Sequence, residues 1–227
     1  VFSGEHRIAK PGDLLPADAP LDVRGRDHPW VSRGGIKLAH ALAHFGWTDL
    51  AGLTVLDIGA STGGFTDVAL VHGAAWVFAV DVGYGQLDAR LRADPRVRVL
   101  ERTNARYLMR THVPEPPDLI VCDASFISLR TVLPAALALA APAARLVALI
   151  KPQFEAGPAD APRGVVRDPA VHARVCAEIA AWMEAQAGWT VVGITPSPIT
   201  GPEGNREFLL AARRVAVDNP DRPVAGG

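Results

Sequence analysis

Two cysteines in 227 residues, Cys122 and Cys176, are too few and too far apart for a disulfide framework or a metal-ligand spacing. Lone thiols suit a reducing compartment, and no secretory leader pattern opens the sequence, so a cytoplasmic setting and no bound metal are expected. No apolar run reads as a membrane span. The most apolar stretch, 132–150, is broken by Pro134, Pro142 and Arg145 and reads as a helix, a turn and a strand. Net charge is lacking too: 23 basic against 24 acidic residues leave −1, where a dedicated nucleic-acid-binding module is usually basic. The charge is nevertheless unevenly placed. Arg24, Arg26, Arg33 and Lys37 cluster with few acids, which favours a binding role. Arg90 to Arg110 form a second cluster, but Asp88, Asp94 and Glu101 lie among them, and a solvated face accounts for it.

What is present is an alternation of strands and helices. Residues 1–27 are short, polar and turn-rich, with Leu21-Asp22-Val23 patterned as a strand. They cannot bury a core alone, and without an initiator Met they read as the end of a preceding domain. Residues 28–31 read as an extended linker, because Pro29 keeps His28 out of the α region. The spacing then predicts helices over 35–45, 62–71, 86–91, 129–140 and 169–186. Strands are expected over 53–58, 76–80, 97–100, 118–122, 145–150, 190–194 and 207–212. The expected fold is therefore α/β: a mostly parallel seven-stranded sheet with helices on both faces. The last two strands meet with no helix between them, so the last is expected to run antiparallel. The main domain is expected over 32–217, with a tail over 218–227.

The first chemical signal is the turn after the strand at 53–58. Asp57 precedes Gly59, Ala60, Ser61, Thr62, Gly63, Gly64 and Phe65, a Gly-rich loop that opens a helix. Such a loop lets a ligand approach the backbone, at the carboxyl edge of the sheet where ligands bind in open α/β folds. The GxGxxG spacing that cradles a pyrophosphate is absent. Asp57 before the turn suits the ammonium group of an amino-acid-bearing ligand, which favours S-adenosylmethionine over NAD. Asp81, 24 positions on, suits a ribose diol, a group both cofactors carry. Asn104 follows the next strand and is either an adenine neighbour or a plain surface residue.

Four charged residues stand out by placement. Lys37 lies on the first long helix, after Arg33-Gly34-Gly35. Asp123 and Lys151 directly follow apolar strands, and Glu207 opens the last one after Gly204-Asn205-Arg206. Neighbouring lysines disfavour each other's charge, which prepares one of them to accept a proton, and the carboxylates would orient both. Each alone suits a structural ion pair, as between Lys151 and Asp123; the set of four favours catalysis.

The chain at this point resembles the TlyA (haemolysin A-like) rRNA methyltransferases, a branch of the FtsJ-like 2′-O-ribose methyltransferases. The likeness rests on six blocks in order: 31–38 with Arg33-Gly34-Gly35-Ile36-Lys37, 56–67, 80–87, 123–129, 151–155 with Lys151-Pro152-Gln153-Phe154-Glu155, and 204–209. It implies a Rossmann-like fold, S-adenosyl-L-methionine as cofactor, and ribosomal RNA or ribosomal subunits as partner, with a cytidine 2′-hydroxyl as target. It also implies that the Lys-Asp-Lys-Glu catalytic set falls on Lys37, Asp123, Lys151 and Glu207, and that residues 1–27 are the remnant of an S4 RNA-binding domain. Lys151 is the expected base, with Lys37 holding the hydroxyl. Ser125 and Phe126 are expected to line the target pocket, Phe126 alternatively belonging to the core. Arg33, and Arg163 and Arg167 on a Pro- and Gly-rich loop over 156–167, are the expected RNA contacts. The competing readings are a nicotinamide-dependent oxidoreductase, a non-catalytic RNA-binding or membrane-active haemolysin-like protein, and a methyltransferase of small molecules or proteins. The family's haemolysin label implies a pore former, against which the lack of a membrane span argues.

Overall fold

The computed structural model describes residues 2–8, 14–16, 18–22 and 28–215. Three two-residue strands, β1 (Phe2–Ser3), β2 (His6–Arg7) and β3 (Leu21–Asp22), form a small antiparallel sheet in the order β2-β1-β3. Val23, Arg24 and Arg26, and the tail expected over 218–227, lie outside the described residues.

The main sheet has seven strands: β4 (Thr54–Ile58), β5 (Trp76–Val80), β6 (Val97–Leu100), β7 (Leu119–Cys122), β8 (Arg145–Ile150), β9 (Trp189–Pro196) and β10 (Phe208–Arg214). Their order is β6-β5-β4-β7-β8-β10-β9. β4 to β8 run parallel, and β10 is antiparallel to both of its neighbours. The central strands are buried almost throughout and mostly apolar because both faces are covered, as parallel sheets require. Alternate residues of each strand serve opposite cores. Leu56, Ile58, Phe78 and Ile120 pack beneath α4 (Leu129–Val132), α5 (Pro134–Leu139) and α7 (Pro169–Glu184), with the short α6 (Pro152–Glu155) following β8. Val55, Val77 and Val121 pack beneath α1 (Gly34–His44), α2 (Gly64–Val71) and α3 (Ala89–Ala93).

Helix boundaries follow local chemistry, and three departures from expectation have a local cause. The 62–71 helix starts at Gly64, because Gly63 holds a left-handed φ of 97° that ends the loop. The 86–91 helix is displaced to Ala89–Ala93, because the Asp88 side chain accepts from Arg90 N and caps it. The 129–140 helix is split into α4 and α5 at Pro134, which starts a new helix rather than continuing one. Asp168 caps α7 in the same way, with Pro169 as its first residue. Residues 28–31, read as a linker, are docked on the main domain: Val31 N donates to Asp67 on α2, and Trp30 fills the space over Gly35 where a Cβ would stand. No described helix is long and apolar enough to cross a membrane.

Candidate active site

The parallel strands deliver their carboxyl ends to one edge of the sheet, and the antiparallel β10 begins there. Phe208 pairs with Ile150, so Glu207 and Lys151 emerge side by side. Cys122 pairs with Ile58 and Ala148, which places Asp123 between the cofactor loop and Lys151. Lys37 reaches this edge from the first turn of α1. That turn can approach α2 closely because Gly64, the first residue of α2, has no side chain: a Cβ there would stand 2.3 Å from Ser32 Oγ and 2.8 Å from Gly35 N.

The four charged residues meet. Lys151 Nζ lies 2.6 Å from Asp123 Oδ1, and Lys37 Nζ lies 3.6 Å from Asp123 Oδ2 and 2.7 Å from Glu207 Oε2. Asp123 thus bridges two amines, and Glu207 closes the chain of charges. Lys37, Lys151 and Glu207 are buried, at 8%, 6% and 2% exposure. Buried charges persist when paired, and two formal positive charges here balance two negative ones. Lys151 Nζ also donates to Ser125 Oγ (2.9 Å) and to the backbone carbonyl of Asp123 (3.2 Å). A Cβ on Gly201 would stand 2.2 Å from Glu207 Oε1, so only glycine lets this carboxylate lie against the loop.

Two cavities flank the cluster. The first, about 310 Å³, is lined by Lys37, Asp123, Lys151 and Glu207 together with Arg33, Gly59, Ala60, Ser61, Thr62, Gly64 and Phe65. Its outer wall is Ile199–Pro202. Arg33 holds that wall by donating to Thr200 O at 3.0 Å. The second cavity, about 420 Å³, shares Gly59, Ser61, Asp123 and Ser125 with the first. Its polar residues Asp81, Gln86 and Asn104 stand among Ile58, Val80, Val82, Ala105, Ile127 and Val132. Such a volume, with a few converging polar groups, is ordinary for a small-molecule pocket. Asp81 accepts from Ser61 N (2.8 Å) and Gly83 N (2.7 Å), one on each oxygen, and each oxygen keeps a further lone pair for a ligand. A Cβ on Gly59 would come within 3.0 Å of the Ala124 backbone, so only glycine lets the two loops between the cavities approach this closely.

Other expected residues stand away from the two cavities or at their edge. Asp57, expected to face an ammonium group, is wholly buried and lines neither cavity. It sits under the loop, where Thr66 Oγ1 donates to it at 2.6 Å, and burial raises its pKa from 3.8 to about 7. Gly63 also lines neither cavity; its space faces Leu87 and Leu91. Arg163 and Arg167 are exposed but border neither cavity. The end of their loop is tied down: Asn205 accepts from Val166 N and donates to Gly164 O. Phe126 is not core. It is 89% exposed, borders the second cavity and packs on Phe154, ring centres 5.0 Å apart. Cys122 precedes Asp123, but burial pushes its thiol up to about 12, so it offers no thiolate. Sequence reasoning passed over Ile199–Pro202 entirely, since the stretch carries no periodicity. It also left unread the Asp81 turn, although Gly83 and Gln86 fell within a block already marked.

The chain is similar to known proteins over most of its length. The family described as FtsJ-like methyltransferase matches residues 30–214. The 16S/23S rRNA (cytidine-2′-O)-methyltransferase TlyA of Mycobacterium tuberculosis is 48% identical over 220 residues, 94% of this chain and 81% of that protein. Hemolysin A of Brachyspira hyodysenteriae is 41% identical over 182 residues, 79% of this chain and 75% of that one. Among solved structures, a protein described as a hemolysin from Streptococcus thermophilus superposes with a TM-score of 0.81 at 42% identity, covering 87% of this chain and 73% of that one.

Proposed function

The chain belongs to the FtsJ-like methyltransferase family, whose cofactor is S-adenosylmethionine, and on that premise we propose that it methylates the 2′-hydroxyl of a cytidine in ribosomal RNA. The observation that carries this reading is the meeting of two lysines and two carboxylates at the junction of two cavities. The apolar second cavity, with Asp81 and Asn104 at its rim, suits an adenosine. The loop at Gly59 to Gly64 leads from it to the charged cluster. When bound there, the cofactor supplies a methyl group already made electrophilic by its positive sulfur.

The remaining work falls to this chain. A ribose hydroxyl is a poor nucleophile until its proton is removed and its oxygen is held in line, about 3–3.5 Å from the carbon it attacks. Lys151 is the base for that proton, and Asp123 holds it in place. Lys37 steadies the ribose oxygen, itself held by Glu207. The family's Lys-Asp-Lys-Glu set is thereby read onto these four residues. Phe126, exposed beside Ser125, offers a face to a base turned out of its stack. Arg33 at the cavity mouth, and Arg163 and Arg167 farther out, are assigned to phosphates along the strand. The small sheet within residues 1–27 is read as part of an S4 RNA-binding unit, 28–31 as its link, and 32–217 as the catalytic domain. A ribosomal substrate and two free thiols support a cytoplasmic setting.

The test is incubation with ribosomal subunits and methyl-labelled S-adenosylmethionine, followed by alkaline hydrolysis. A methylated 2′-oxygen cannot attack its neighbouring phosphate, so label is expected in alkali-stable dinucleotides beginning with cytidine. Label on a base, or none in RNA, would refute the proposal.

A further inference from the structure

Ser125 is the residue whose position the reading above leaves unused. It lies two positions after Asp123, lines both cavities, and places Oγ 2.9 Å from Lys151 Nζ. The other oxygens within hydrogen-bonding reach of Nζ are Asp123 Oδ1 at 2.6 Å and the Asp123 carbonyl at 3.2 Å. These two differ from Ser125 in kind. An ionised carboxylate and a carbonyl only accept, whereas a hydroxyl accepts or donates according to its rotation. An amine ready to act as a base has two N–H donors and one lone pair. The Asp123 carbonyl takes one donor and the ion-paired Oδ1 faces the amine beside it, and Ser125 is the neighbour that can place a proton against the lone pair. Lys151 lines the first cavity and Ser125 lines both, so the hydroxyl beside Lys151 at their junction belongs to Ser125.

We propose that Ser125 is a catalytic proton relay between the substrate hydroxyl and Lys151. This rests on the ribose-methylation reading above. The ribose O–H bond breaks and its proton passes to Ser125 Oγ, while the proton already on Ser125 passes to the Lys151 lone pair. The ribose oxygen uses the released electron pair to bond the methyl carbon, and the methyl–sulfur bonding pair remains on sulfur. The positive charge lost by sulfur reappears on Lys151, beside Asp123, so the balance closes without another reactant.

Single-turnover transfer to ribosomal RNA tests this with Ser125→Ala and Ser125→Thr, alongside calorimetric affinity for S-adenosylhomocysteine. Ser125→Ala is expected to slow transfer about a hundredfold, within the range of general acid–base contributions. Its affinity for S-adenosylhomocysteine should stay unchanged, and Ser125→Thr, which keeps the hydroxyl, should recover most of the rate. In mixtures of light and heavy water the wild-type rate should curve with deuterium content, as two protons in motion require, and that of Ser125→Ala should be linear. An Ala variant as fast as wild type would overturn the relay, as would equal loss of rate and cofactor affinity in both variants. Wild-type protein that places no methyl group on ribose would refute the reaction itself and the relay with it. An active wild type with an equally active Ala variant would remove the relay alone.

Discussion

Replacing Asp57 by Asn gives a prediction whose size follows from the burial of one carboxyl group. Asp57 is fully enclosed beneath the cofactor loop, and burial, opposed by the Thr66 hydroxyl bond, raises its pKa from 3.8 to about 7. The folded protein therefore holds this proton more tightly than the unfolded chain does. Stability from this source is fully present below pH 3.8, declines as the pH rises towards about 7, and is constant above that. At about 1.4 kcal/mol per pKa unit, the whole loss is about 4 kcal/mol, of which about 3 kcal/mol falls between pH 5 and 8. Asn does not titrate. Its amide would meet the site of Asp57 Oδ1, which has no hydrogen-bond partner among the described residues, but that cost of about 1–3 kcal/mol is the same at every pH. Urea denaturation of both proteins at several pH values, at constant ionic strength, separates the two effects. The variant should gain about 3 kcal/mol on wild type between pH 5 and 8. Parallel stability curves would show that Asp57 titrates alike in the folded and unfolded chain, and the argument from burial would fail.

Two further outcomes follow from the site. Gly201→Ala would drive a Cβ against the buried Glu207 carboxylate and push it off Lys37. Transfer should slow by about a hundredfold, as a misplacement of about 1 Å can, while S-adenosylhomocysteine still binds by calorimetry; an unimpaired rate would show that the contact between Glu207 and Lys37 is dispensable. Asp81→Ala removes the acceptor for Ser61 N and Gly83 N together with the proposed ribose partner, and should weaken S-adenosylhomocysteine binding by about 10- to 100-fold, with unchanged affinity locating the ribose elsewhere.

The sheet was legible because its strands are apolar runs that stop abruptly at a polar residue or a glycine. The strands over 76–80, 97–100 and 145–150 stand where the sequence places them. The antiparallel last strand followed from the missing crossover. The meeting of Asp123, Lys151 and Glu207 was foreseeable because strand ends in such a sheet share an edge, whereas Lys37 joins them from α1. Depth was not legible. Asp57 reads like a ligand-facing residue by its place before a glycine turn, yet the pleat turns it towards α2 and into the core. The split at Pro134 was visible in the sequence, but an Ala- and Leu-rich segment masks a break of one residue. The wall at Ile199–Pro202 could not be read, because its place at the site depends on Arg33, 167 positions away.

The central claim is that the paired lysines and carboxylates activate a sugar hydroxyl and do not merely hold the fold together. Lys151→Ala tests it most directly, with single-turnover methyl transfer to ribosomal RNA measured beside calorimetric binding of S-adenosylhomocysteine. Loss of transfer by about a hundredfold or more with cofactor affinity intact is the predicted result. Transfer at the wild-type rate would contradict it.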